Sequence, residues 1–243
     1  MNVVCIVQAR MGSSRLPGKV LMNIRNKTIV ELIYERLKKC SKLNKIIFAI
    51  PNTEKDKALI DIFNNNNIEY FMGNENDVLE RYYFCAKEYN ADFIIRVTCD
   101  CPFVDYTTID EIVEEGIKVK CDYILKENLP VGVTSEAFTF EALEKAYFEA
   151  DKDYQREHVI SYFLDNPDKF KLTFINAKGI LNKPEYRLTL DTLEDFNVIK
   201  TIYDNLYKEE PIDIKDVIEF IENNHEILKI NSQIKQKTYK DYL

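Results

Sequence analysis

Histidine is nearly missing from this chain, with two in 243 residues. The six cysteines, Cys5, Cys40, Cys85, Cys99, Cys101 and Cys121, form no Cys-x-x-Cys pair. The donor spacing of a structural zinc site is therefore absent, and the cysteines read as reduced, mostly buried small residues. No run approaches the roughly eighteen consecutive apolar residues of a membrane-spanning helix. The opening, MNVVCIVQAR, has neither the basic stretch nor the long apolar core of a secretion signal, so a cytoplasmic protein is the default expectation. Basic excess is missing too. Lys and Arg number 33 against 41 Asp and Glu, a formal net charge of −8. That is the wrong sign for a general nucleic-acid binder, which needs a basic face to displace counterions. It leaves room for a local basic loop that holds a nucleotide.

What is present is an alternation of strand-like and helix-like segments, in a chain long enough to bury a core without disulfides. Apolar runs predict strands at Val3–Gln8, Lys45–Ile50, Ile68–Met72, Asp92–Thr98, Asp122–Leu125 and Lys171–Ile175, with a short one at Arg187–Leu190. Helical periodicity predicts helices at Thr28–Cys40, Thr53–Asn65, Asp77–Tyr89, Thr107–Val119, Phe140–Glu149, Gln155–Leu164, Thr192–Tyr207 and Ile214–Asn223. Repeated βα units imply an α/β fold with a mostly parallel sheet covered on both faces. A single domain is expected over 1–230, with a less regular region at 126–186. A polar, Lys-rich tail over 231–243 is expected to fray or to dock on a partner.

The most informative segment is Gln8-Ala9-Arg10-Met11-Gly12-Ser13-Ser14-Arg15-Leu16-Pro17-Gly18-Lys19. It follows a buried strand, at the carboxyl edge where open α/β sheets bind ligands. Arg10, Arg15 and Lys19 concentrate positive charge there, and Gly12 and Ser13 permit backbone N–H groups to converge on a phosphate. It is not a Walker loop, since five residues separate Gly12 from Gly18 and Val20 follows the lysine, and no G-x-G-x-x-G fingerprint is present. The stretch QARMGSSRLPGKVL resembles the signature loop of spore-coat-polysaccharide-type cytidylyltransferases, relatives of the enzymes that make CMP-KDO and CMP-sialic acid. The resemblance implies a Rossmann-like, three-layer nucleotidyltransferase fold of the GT-A-like kind, with a small dimerisation or acceptor insertion. It also implies that Gln8 and Ala9 border cytosine and ribose, while Arg10, Ser13, Arg15 and Lys19 hold the triphosphate.

Two acidic segments carry the same resemblance. Arg96-Val97-Thr98-Cys99-Asp100-Cys101-Pro102 places Asp100 just past a buried strand, where a carboxylate can meet Mg²⁺. By resemblance Asp100 is the principal metal ligand; Asp105 reads as a turn or helix-entry residue. Arg187-Leu188-Thr189-Leu190-Asp191-Thr192-Leu193-Glu194-Asp195 resembles the family's late acidic motif. There Asp191 is either a helix N-cap or the second metal ligand, and a Thr192–Asp195 capping box would leave it to the metal.

Further family-like stretches are Met72–Arg81, Pro130–Glu136 and Arg156–Val159. They make Arg81 and Thr98 candidates for the nucleotide and Glu136, Arg156 and His158 candidates for the acceptor. The expected reaction is Mg²⁺-dependent transfer of CMP from CTP to a small acceptor with loss of pyrophosphate, by a homodimer free of nucleic acid and membrane. Two rivals stand beside it. A glycosyltransferase would place Asp-x-Asp after a central strand, and the only match is Asp151-Lys152-Asp153. A non-catalytic nucleotide binder would not need acids at two separate strand ends.

Overall fold

A computed structural model of the chain describes residues 1–236; the remainder of the expected tail, 237–243, lies outside the described residues. The chain runs β1 (Val3–Gln8), a two-residue hairpin β2 (Asn23–Ile24) and β3 (Lys27–Thr28), α1 (Ile29–Leu37), β4 (Lys45–Pro51), α2 (Ala58–Asn65), β5 (Glu69–Gly73), α3 (Val78–Glu88), β6 (Phe93–Thr98) and α4 (Tyr106–Val119). It continues through β7 (Tyr123–Glu127), β8 (Glu136–Thr139), α5 (Phe140–Glu149), α6 (Asp153–Glu157), α7 (Ser161–Asp165), β9 (Leu172–Asn176), α8 (Leu193–Leu206) and α9 (Ile214–Asn223).

One seven-stranded sheet has the order β5-β4-β1-β6-β8-β7-β9. Only β8 runs against the others, pairing antiparallel with both β6 and β7. β1 lies inside the sheet between β4 and β6, and Val4 through Val7 are fully buried, the continuous apolar pattern of a strand covered on both faces. One core cluster holds the buried sides of α1, α2, α4, α8 and α9, and a second holds those of α3, α5 and α7. Helices thus cover both faces of the sheet, in the three layers expected.

Caps set several helix starts. Thr28 Oγ1 accepts from the Glu31 N–H while the Glu31 carboxylate takes the Thr28 N–H at 2.7 Å, closing a capping box before the apolar stripe of α1. Asp105 caps α4 through the Thr108 N–H at 2.9 Å, the helix-entry role read for it.

The irregular region departs from expectation. β8 was not foreseen; its four residues lack a clear alternation and pair in the reverse direction. The single helix expected over Gln155–Leu164 is two short ones, interrupted after Glu157. Thr53–Asn65 begins with a tight turn at Lys55–Lys57 before α2. Arg187–Leu190 is not a strand but an extended segment joined to its neighbour by one bridge, Val131 to Arg187. Gly132 permits that approach: its φ is +90°, and a Cβ there would stand 2.6 Å from the Thr189 nitrogen. No helix among the described residues is long and apolar enough to cross a membrane.

Candidate active site

Sheet register builds the site. Gln8, the last residue of β1, pairs with Ala49 on one side and Thr98 on the other. The loops after β1 and β6 therefore leave the sheet side by side. The Cys99 N–H donates to the Gln8 carbonyl at 2.9 Å, and Asp100 follows at the edge. The Asp100 carbonyl in turn accepts the Leu190 N–H at 2.7 Å and the Thr189 hydroxyl at 3.1 Å. These two bonds bring Asp191 to Asp100 across about ninety residues of chain.

Lys19 stands between the two acids. Gly18, at φ +71°, turns the chain into a short helical turn that starts with Lys19, a conformation that costs glycine little. The Lys19 ammonium, with its side chain 10% exposed, donates to Asp100 Oδ2 at 2.9 Å, to Asp191 Oδ1 at 3.1 Å and to the Leu190 carbonyl at 2.6 Å. Arg15 reaches Asp191 Oδ2 at 3.0 Å and Arg187 reaches the same oxygen at 3.1 Å. Burial alone would lower the Lys19 pKa, but Asp100 and Asp191 raise it above the ordinary lysine value. Burial likewise works against the Asp100 charge, yet Lys19 and hydrogen bonds from Thr98 and Cys101 pull its pKa below the usual carboxylate value. Lys19 and Asp100 are thus both charged at neutral pH.

Behind Asp191 lies a second layer. Thr192 and Asp195 form the expected capping box of α8. Asp195, fully buried, holds the Arg187 guanidinium through two bonds of 2.9 Å and also takes the Asp191 N–H at 3.0 Å. Asp191 is thus not the cap, and its carboxylate is directed to the cations. Burial raises the Asp195 pKa, but Arg187 and Asn231 outweigh it and hold it below 3.8. A depressed carboxylate contributes stability above its unfolded value, and loses it as pH falls through the folded one. Asp195→Asn is therefore expected to cost about 3 kcal/mol near pH 7, with the gap to wild type shrinking below about pH 4. Urea midpoints of both proteins across that range check it.

The cleft is lined by Gln8, Ala9, Arg10, Ser13, Ser14, Arg15, Lys19, Thr98, Cys99, Asp100, Glu157, His158 and Asp191, with a cavity volume of about 220 Å³. A side pocket joins Gln8, Ala9 and Arg10 to Val78, Arg81, Glu157 and His158. Arg81 is buried at the floor of the side pocket, and burial lowers its pKa. Burial lowers that of His158 too, against the pull of Glu157. The Cys99 and Cys101 thiols are pushed up by burial, so neither offers a thiolate nucleophile.

Other expected residues stand elsewhere. Gly12 sits against Lys55, away from the cleft lining. Ser13 does line the cleft, its N–H bonded to the Met11 carbonyl at 3.0 Å. Glu136 pairs with Arg96 at 2.9 Å between β8 and β6, and does not line the cleft. Arg156 grips Asp77, the N-cap of α3, together with the Tyr147 carbonyl at 2.6 Å. It ties α6 to α3 and does not line the cleft. Of the acceptor candidates, His158 alone faces the opening.

Two residues at the site were missed. Glu157 lines both pockets because the helix breaks just after it; an unbroken helix gave no reason to single it out. Asp56, fully buried, accepts the Met11 N–H at 2.7 Å and so pins the basic loop.

Comparison with known proteins agrees with this geometry. Residues 4–235 match the cytidylyltransferase family model. The chain is 40% identical over 244 residues to an uncharacterized protein of Methanocaldococcus jannaschii, covering 99% of both chains. It is 29% identical to the spore coat polysaccharide biosynthesis protein SpsF of Bacillus subtilis, covering 92% of this chain and 95% of that one. A cytidylyltransferase structure from Leptospira borgpetersenii superposes with a TM-score of 0.88 at 31% identity, covering 98% of this chain and 99% of that one. With the carboxyl-edge cleft, the basic loop and these matches together, the chain belongs to the cytidylyltransferase family and is a nucleotidyltransferase.

Proposed function

We propose that the protein transfers CMP from CTP, with Mg²⁺, to a sugar, sugar acid or small phosphorylated acceptor and releases pyrophosphate. The observation that carries this reading is the meeting of Asp100 and Asp191 on the Lys19 ammonium, inside a cleft edged by Arg10 and Arg15. Two carboxylates supply hard oxygen donors, and a magnesium site completes its sphere with phosphate and water. No group of three or more His, Cys, Asp or Glu side chains able to hold a metal stands together among the described residues. That donor set suits a metal shared with a nucleotide better than a permanent protein-held one. Asp100 and Asp191 would hold the ion, which when bound would neutralise phosphate charge and orient the α-phosphate.

The chain's own groups do the remaining work. Lys19 and Arg15, which occupy the carboxylates here, are the cations that turn to the phosphates as nucleotide enters. Gln8, Ala9 and Arg81 line the side of the cleft assigned to base and ribose, with Arg10, Ser13 and Thr98 beside the phosphate path. The acceptor oxygen attacks the α-phosphorus in line, a P–O bond to the acceptor forms, and the bond to pyrophosphate breaks. Catalysis is positioning and charge stabilisation, as in other phosphoryl transfers. Glu157 and His158 are the side chains placed to meet the acceptor. The reading extends to surface polysaccharide synthesis, in keeping with the SpsF name, in the cytoplasm, and to a two-fold homodimer, the commonest closed assembly.

A melting screen with CTP, UTP, ATP and GTP, each with Mg²⁺, tests the nucleotide. A ligand that binds only the folded form raises apparent stability, by about 2.7 kcal/mol at a hundredfold excess over Kd. CTP is expected to give the largest shift, and to lose most of it without Mg²⁺. A larger shift with UTP or ATP, or pyrophosphate release from either in preference to CTP, would overturn the base assignment.

A further inference from the structure

Residues 231–236, the described start of the tail expected to fray or to dock on a partner, pack behind the site. A helical turn at His225–Ile230 packs on α8 and α9 and delivers Asn231, 2% exposed, to the ion-pair cluster behind Asp191. The Asn231 carboxamide donates to Asp195 Oδ1 at 3.0 Å and to the Arg187 carbonyl at 3.1 Å. Gln236 accepts from a terminal nitrogen of Arg187. The other terminal nitrogen and Nε of that guanidinium face Asp195, and Asp191 receives one contact from it.

Arg187 therefore stands between two acids. Asp195 holds it with two bonds, while Asp191, facing the cleft, has a single share. Asn231 and Gln236 fix this division from the far side. Without the Asn231 donor, Asp195 loses a partner and the Arg187 backbone is released. The guanidinium is then freer to close on Asp191 and compete there with any other cation.

We infer that Asn231, supported by Gln236, is a positioning residue for Asp191: the C-terminal segment locks Arg187 onto Asp195 and so keeps the Asp191 carboxylate available to a nucleotide-bound divalent cation. The inference rests on the reading of Asp191 as a metal-facing carboxylate. It makes residues far from the basic loop, in the least motif-like part of the chain, part of the apparatus that sets metal affinity.

The test is Mn²⁺ binding by the full-length chain in the presence of CTP, followed by the spectroscopic signal of free Mn²⁺. Wild type, Asn231→Ala and Gln236→Ala are compared well below their melting temperatures. Outer partners of metal ligands commonly change metal affinity by about 10–100-fold. Asn231→Ala is expected to weaken Mn²⁺ binding about tenfold and Gln236→Ala less, in the same direction, with metal-free CTP affinity held within about twofold. Unchanged Mn²⁺ affinity in both variants overturns the inference, as does an equal loss of metal-free CTP binding. A wild-type chain that binds no Mn²⁺ with CTP defeats the reading of Asp191 itself. A wild type that binds it beside variants that bind it equally well defeats only the positioning role. Should Asn231→Ala fail to fold, the exposed Gln236 carries the comparison alone.

Discussion

Asp100→Asn is expected to lower CTP-dependent pyrophosphate release by about 10²–10³-fold while leaving the fold in place. The carboxylate lies just past β6, and its carbonyl, which organises Thr189 and Leu190, is untouched by the change. What is lost is a charge held low by Lys19 and by bonds from Thr98 and Cys101. An asparagine keeps the volume but is a poor partner for a divalent ion. The loss should fall on kcat, since a group acting on the developing phosphate charge acts mainly in the transition state. Steady-state kinetics on wild type and variant, at saturating Mg²⁺ and with an acceptor that supports wild-type turnover, give the measurement. A variant with near wild-type kcat removes Asp100 from the chemistry.

Lys19→Met should have two effects that point in opposite directions when metal is added. Without metal, the substitution leaves Asp100 and Asp191 facing each other with their shared ammonium gone, at a site where the lysine side chain is 10% exposed. Removing one partner of a buried ion pair costs about 3–5 kcal/mol, and Arg15 and Arg187 beside Asp191 bring the expected loss toward the lower end. Added Mg²⁺ should restore more stability to this variant than it adds to wild type, because a divalent cation takes over the position that Lys19 fills. Turnover should not recover, because the cation facing the leaving pyrophosphate remains absent; the expected deficit is again about 10²-fold or more. Paired melting curves with and without Mg²⁺, set beside rates, separate the effects. A melting point that Mg²⁺ does not raise would show that Lys19 does not occupy the metal's place.

Much of this was legible in the residues. β1 and β6 appear at or within one residue of their sequence-predicted limits, because an interior strand buried on both faces is written as a mostly apolar run. α5 and α9 match in full, and α8 within a residue, their ends marked by Thr139, Asp213 and Thr192 as caps. The loop from Gln8 to Lys19 and the acids at 100 and 191 were singled out by their place after expected strands together with the family resemblance, and they meet in space.

What was hidden lay in tertiary pairing. Nothing in Glu136–Thr139 announces a reversed strand, because its register is imposed by β6 and β7 on either side. Arg187–Leu190 reads as a strand from composition, yet its partners are the Asp100 carbonyl and the loop at Val131. Arg156 resembles a substrate-binding arginine in isolation. Only the structure shows its guanidinium spent on Asp77 and Tyr147. Asn231 belongs to a polar stretch without periodicity, and its burial depends on an ion pair some forty residues earlier.

The most direct measurement is a crystal structure of the chain grown with Mn²⁺ and CTP, with the metal located by its anomalous signal. The account predicts one peak between Asp100 and Asp191, about 2.2 Å from a carboxylate oxygen of each, with the triphosphate beside Arg15 and Lys19 and the ammonium withdrawn from at least one acid. CTP bound with Lys19 still bridging both carboxylates, and manganese elsewhere or not at all, would contradict it.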